Sequence, residues 1–160
     1  MTQSERKHVL HDHLIRTRED LLKIVGTLQP ADWDRPVQGI DNGWTVKQLL
    51  AHIAMSESGQ IKTAQAIAAG RPTVPDDFDL NRYNNRQVEK NKDKQPPEIL
   101  FGMAESRHQL LAYLDEVPEE ALDKRGKHAR GGVISLEQLF LRIGDNEAEH
   151  SAEIEQALKK

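Results

Sequence analysis

GWTVKQLLAHIAMSE, residues 43–57, reads as the opening of a long helix. Thr45 and Gln48 stand three apart in a T-x-x-Q box, the spacing in which each side chain satisfies the other residue's free amide. Behind this cap, Val46, Leu49, Leu50, Ile53, Ala64, Ile67 and Ala68 recur at helical spacing and form one apolar stripe. The pattern stops at Gly70-Arg71-Pro72, where glycine ends a helix and proline cannot extend it. Glu57 falls near the middle of the stripe, an unusual place for a carboxylate. His52 falls at its edge, roughly 100° from the centre.

Three other segments follow the same rules. Residues 4–28 carry Leu10, Leu14, Leu21, Val25 and Leu28 on one face and end ahead of Gln29-Pro30. A second segment starts near Pro96-Pro97 and places Ile99, Met103, Leu110, Leu114 and Val117 before Pro118. The third begins at Ser135, boxed with Gln138, and continues through Leu136, Leu139, Phe140, Ile143, Ile154 and Leu158. Four amphipathic helices without a convincing strand imply an all-α fold, an antiparallel four-helix bundle forming a single domain over residues 1–160. Two connections are long. Residues 29–44 hold Trp33 and Trp44 as packing anchors, and residues 70–95 are polar with a short extra helix expected near 79–91. Connections of this length usually carry function or cover a site. KHARGGVIS, 127–135, has a glycine pair that suits a flexible turn.

Composition narrows the function. The 160 residues are 30% charged and only 4% aromatic, which suits a soluble, helix-rich chain with an aliphatic core. A net charge of −4 with both signs interspersed gives no basic field for nucleic acid or acidic membranes. Cysteine is absent, which removes disulfides, thiolate ligands and a cysteine nucleophile. No phosphate-cradling glycine loop occurs. No run approaches the length of a membrane span, and the opening MTQSERKHVLHDHL lacks an apolar signal region, so a cytoplasmic location is expected.

Of the seven histidines, His150 lies most squarely on an apolar stripe, within roughly 20° of the last helix's centre. Asn146 lies within about 60° of that centre and Glu147 shares the sector, whereas Asp145 points to the opposite face. His150, Asn146 and Glu57 therefore aim at one interior, and His13 flanks it. His8, His11, His108 and His128 read as solvated. An inward histidine is more often a hydrogen-bonded core residue than a metal ligand, so periodicity alone leaves a bundle with a polar core.

GWTVKQLLAHIAMSE resembles the second-helix signature of the DinB-like superfamily, W-[ST]-x-[KR]-x-L-x-x-H, and EAEHSAEI at 147–154 resembles its closing helix. FDLNRYNNRQVEKNKDK and the following PPEILFGMAESRHQLLAYLDEV are similar to the DfsB-like branch. The resemblance implies a four-helix bundle, often a homodimer, with three histidines holding zinc or nickel beside an open position. It aligns His52 with the first ligand and His150 with the last, and puts Asn146 where the middle histidine belongs. An amide oxygen is a weaker donor to borderline metals, so Glu57 or Glu147 is the expected fallback ligand. Glu57 is alternatively a general base.

Three functions remain open at this point. One is a metal-assisted transferase or hydrolase acting on a small electrophilic molecule, in which any low-molecular-weight thiol comes from a cofactor. Another is a metal-independent small-molecule-binding or stress-related protein with a lapsed metal site. The third is a degenerate member acting through interaction or dimerisation.

Overall fold

The computed structural model describes residues 4–38 and 43–159; residues 39–42 of the expected 29–44 connection lie outside it. The helices are α1 (Glu5–Val25), α2 (Val46–Ala69), α3 (Leu80–Lys90), α4 (Pro96–Glu116) and α5 (Leu136–Leu158). Short 3-10 turns at Pro30–Asp34 and Glu119–Asp123 follow α1 and α4. Both expected capping boxes are formed, Thr45 with Gln48 and Ser135 with Gln138, each cap contributing about 1 kcal/mol. Gly70 ends α2 in the left-handed conformation at φ 69°, where a side chain would be strained. α1 stops at Val25 rather than Leu28, with Gly26 as its C-cap.

A β-hairpin, β1 (Arg125–Lys127) with β2 (Val133–Ser135), corrects the expectation of a flexible turn at KHARGGVIS. Its tip closes through Gly131 and Gly132 at φ 100° and 79°, so the glycine pair shapes a fixed reversal.

α1 packs on α5 and α2 on α4, with α2 also meeting α5. The core divides into two apolar clusters. One contains Leu10 and Leu14 of α1, Ile61 and Ile67 of α2, Leu110 and Leu114 of α4, and Leu139, Phe140 and Ile143 of α5. The other contains Leu21 and Val25, Leu49 and Ile53, Ile99 and Met103, and Ile154 and Ala157 from the same four helices. Each helix crosses from one cluster to the other, so α1 and α5 run in one direction and α2 and α4 in the opposite one. The 70–95 crossover, which includes α3, makes that order possible by returning the chain to the starting end before α4.

One polar residue per helix sits where the clusters part: Arg18 on α1, Glu57 on α2, Arg107 on α4 and Glu147 on α5. Their exposures are 7%, 3%, 5% and 2%. Arg107 donates from Nε to Glu57 Oε1 at 2.7 Å and from Nη2 to Glu57 Oε2 at 3.1 Å. Arg18 donates from Nε to Glu147 Oε1 at 2.9 Å and from Nη2 to Glu57 Oε2 at 3.1 Å. Arg107 Nη2 lies 3.1 Å from Glu147 Oε2, which completes a ring of opposite charges. The remaining guanidinium arms reach backbone, Arg18 to the Met103 carbonyl at 2.7 Å and Arg107 to the Leu14 carbonyl at 2.6 Å. Burial opposes the Arg107 charge, but the Glu57 hydrogen bond and the charges of Glu57 and Glu147 outweigh it and raise its pKa. The layer carries two positive and two negative groups and is therefore neutral as a unit.

Candidate functional site

Beside this layer a cavity of about 510 Å³ opens between α2, α5, the 70–84 segment and the hairpin tip. His52, Asn146 and His150 all line it, as do Glu57 and Glu147 at its inner wall. The capped start of α2 brings His52 inward, only 8% exposed despite its position at the edge of the stripe. Trp44, immediately before the cap, stacks obliquely on it with ring centroids 4.8 Å apart. On its other side His52 meets the edge of His150, centroids 5.7 Å apart and planes at 82°.

His150 is oriented by its own helix. Its Nδ1 lies 3.3 Å from Oε1 of Glu153, three residues on. An ionised carboxylate only accepts, so Nδ1 carries the proton and Nε2 keeps its lone pair. Burial raises the Glu153 pKa, with the Glu149 charge adding to it. Burial, then the charges of His150 and Arg130, lowers the His52 pKa from 6.5 to about 4. Burial and Arg130 also lower that of His150, against an opposing pull from Glu149 and Glu147. Both rings are thus neutral at pH 7, with nitrogen lone pairs available as ligands or acceptors.

Glu57, expected as a fallback ligand or general base, has both oxygens occupied by Arg107 and Arg18. Glu147 is likewise engaged by Arg18. Among the described residues, no three His, Cys, Asp or Glu side chains converge as a metal-ligand group. His52 and His150 meet ring to ring, and Asn146 lines the same cavity.

Two histidine assignments need correction. His128, read as solvated, is 3% exposed and lines the cavity, because the hairpin folds the supposed loose turn over the opening. Its Nδ1 accepts from the Arg130 backbone amide at 3.1 Å, so the neutral ring carries its proton on Nε2. His13, expected beside the inner set, instead pairs through Nε2 with Asp145 at 3.1 Å. Gly144 permits this, since a Cβ there would collide with the His13 ring. Arg18, Arg107, Glu153 and Arg130 were not singled out from the sequence. Arg18 and Arg107 lie on their helices' apolar stripes, where a long stem usually carries the charge to water, whereas Arg130 reaches the cavity only through the hairpin.

The sequence pattern described as the mycothiol maleylpyruvate isomerase N-terminal domain matches residues 14–148. Solved structures of similar fold include YfiT from Bacillus subtilis, described as a probable metal-dependent hydrolase with an unusual four-helix bundle topology. It is 20% identical, with TM-score 0.77 over 99% of this chain and 89% of that one. The mycothiol-dependent maleylpyruvate isomerase is 16% identical, with TM-score 0.74; the alignment covers 96% of this chain but 63% of the isomerase. This chain therefore spans less than two thirds of that enzyme. The colibactin self-resistance protein ClbS, solved in complex with a double-stranded DNA, is 13% identical, with TM-score 0.78 over 96% of each chain. Identities this low speak for the fold alone. No curated protein matches the chain. No helix among the described residues is long and apolar enough to cross a membrane.

Proposed function

Because the chain belongs to the family of the mycothiol maleylpyruvate isomerase N-terminal domain, within the DinB-like superfamily, we propose that it is a metal-assisted transferase or hydrolase. Its substrate is a small electrophilic molecule, with a low-molecular-weight thiol as co-substrate in the transferase case. The observation that carries this reading is the pair of buried, neutral imidazoles, 5.7 Å apart on the wall of a ligand-sized cavity.

The donor set suits one divalent ion, zinc or nickel. Two imidazoles on a single tetrahedral ion have ring centroids roughly 5 Å apart, close to the separation found here. His52 and His150 would be the strong ligands, and Asn146 the weak third through its amide oxygen. When bound, such an ion supplies Lewis acidity and lowers the pKa of a coordinated water or thiol. The chain's own side chains do the rest. Glu153 fixes the His150 tautomer in the manner of a carboxylate behind a metal-bound histidine. Trp44 covers one face of His52 and keeps water from it. Glu57 is a positioning residue in this reading, since its oxygens hold two guanidinium groups. With no cysteine in the chain, sulfur enters only with a co-substrate.

Calorimetric titration of metal-stripped protein with Zn²⁺ or Ni²⁺ tests the assignment. One ion per chain is expected, lost in His150→Ala and weakened about 10- to 100-fold in Glu153→Ala. Asn146→His should tighten binding about tenfold or more, because it restores a nitrogen donor. No binding by the parent chain, or binding indifferent to all three substitutions, would sink the metal assignment. The amide at position 146 favours a second reading, a metal-independent binding protein. Its mark would be a small-molecule thermal shift that is undiminished in metal-stripped protein and in His150→Ala.

A further inference from the structure

The protein is acidic overall, yet its cavity is not. Among the described residues lining the cavity, the carboxylates are those of Glu57 and Glu147 alone. Both are already paired with Arg18 and Arg107. Against them stand Lys62, Arg71 and Arg130, which also line the cavity and make no side-chain ion pair among the described residues. With its two carboxylates paired, the cavity presents three solvent-exposed cations in a chain of net charge −4.

Of these cations, Arg130 is the one whose backbone is bonded to a cavity histidine. It rides on the hairpin tip, two residues after His128. Its backbone amide also locks His128 through Nδ1 at 3.1 Å, leaving the His128 Nε2–H as a neutral donor on a ring that is 3% exposed. One residue thus supplies a guanidinium and sets the tautomer of a second donor. Phe78 and Tyr83, which also line the cavity, meet edge to face with centroids 5.5 Å apart.

We propose that the cavity receives a small carboxylate with an apolar or aromatic body, its anionic end held by Arg130 and the Nε2–H of His128. This inference deepens the functional reading above and rests on it for the cavity's being a substrate site. A guanidinium fork matches a carboxylate, and one neutral donor beside it suits a single negative charge better than a phosphate dianion.

The test uses matched probes, benzoate against benzamide, with inorganic phosphate as a third arm. Binding to the full chain, stripped of metal over a chelating resin, is followed by calorimetry and by the His128 ring resonances. Benzoate should bind about tenfold or more tightly than benzamide and shift His128. Arg130→Gln should erase that preference. Equal binding of the two probes, no binding of either, or a preference that survives Arg130→Gln would overturn the proposal. Phosphate binding in place of benzoate would overturn the carboxylate assignment. Zn²⁺ affinity is read separately, so failure of the metal assignment appears as lost ion binding with the benzoate preference intact.

Discussion

Arg107→Met should cost the fold about 3–5 kcal/mol, read as a lower urea midpoint with an unchanged slope. The substitution removes two hydrogen bonds to Glu57 and one to the Leu14 carbonyl, and Met fills most of the vacated volume. The loss is therefore mainly electrostatic. It leaves Glu57 and Glu147, 3% and 2% exposed, with only Arg18 between them, and an uncompensated buried carboxylate is expensive. Replacing all four residues should behave differently. Arg18→Met, Glu57→Leu, Arg107→Met and Glu147→Leu together remove both signs, so stability should return to the parent level or exceed it. What the quadruple variant should lose is helix alignment, since the layer ties α2 to α5 and so sets His52 against His150. A cost below about 1 kcal/mol for Arg107→Met would mean that water reaches the layer and that it does not organise the bundle.

Acid should unfold the metal-stripped protein through His52. Its pKa lies near 6.5 in an unfolded chain and is lowered to about 4 in the fold, chiefly by burial. Between those values the unfolded chain binds a proton that the folded one refuses. Stability present above pH 6.5 is therefore lost as pH falls, and the loss levels off below about pH 4. The gap amounts to about 3 kcal/mol, and the lowered pKa of His150 adds loss in the same direction. Carboxylates titrate over part of the same range, so the informative quantity is the difference between parent and His52→Gln in urea melts at pH 7, 5.5 and 4.5. The variant should lose about 2 kcal/mol less than the parent across that range. Parallel curves would show that His52 is hydrated in the fold.

The helices were legible in the sequence because their signals are local. A box such as Thr45-x-x-Gln48 satisfies backbone groups within one turn, and apolar recurrence at three and four residues reports a buried face whatever lies opposite. The α3 segment was legible for the same reason. The charge layer was only half legible. Glu57 and Glu147 stood out as misplaced carboxylates, but Arg18 (four after Leu14, three before Leu21) and Arg107 (four after Met103, three before Leu110) occupy equally inward positions. An arginine's long stem usually lets its charge reach water from such a place, so nothing local marks it as buried. Pairing each glutamate with an inward arginine on another helix requires knowing which helices meet.

The site divides in the same way. His150 announced itself on the stripe, and the likeness to known second-helix sequences pointed to His52, which periodicity had left at an edge. His128 read as solvated and Arg130 carried no signal, because their place depends on a two-stranded hairpin three residues long on each side, too short to leave a period. His13 packs its ring on Gly144 beside Asp145, a contact across two helices that a single helical wheel does not contain.

Anomalous scattering from crystals soaked in Zn²⁺ or Ni²⁺ tests the central claim most directly. The expected result is one strong peak about 2.0–2.2 Å from a ring nitrogen of each of His52 and His150, with the Asn146 side chain turned toward it. No peak between those rings at saturating metal, or a peak held only by other residues, would contradict a metal-assisted site in this cavity.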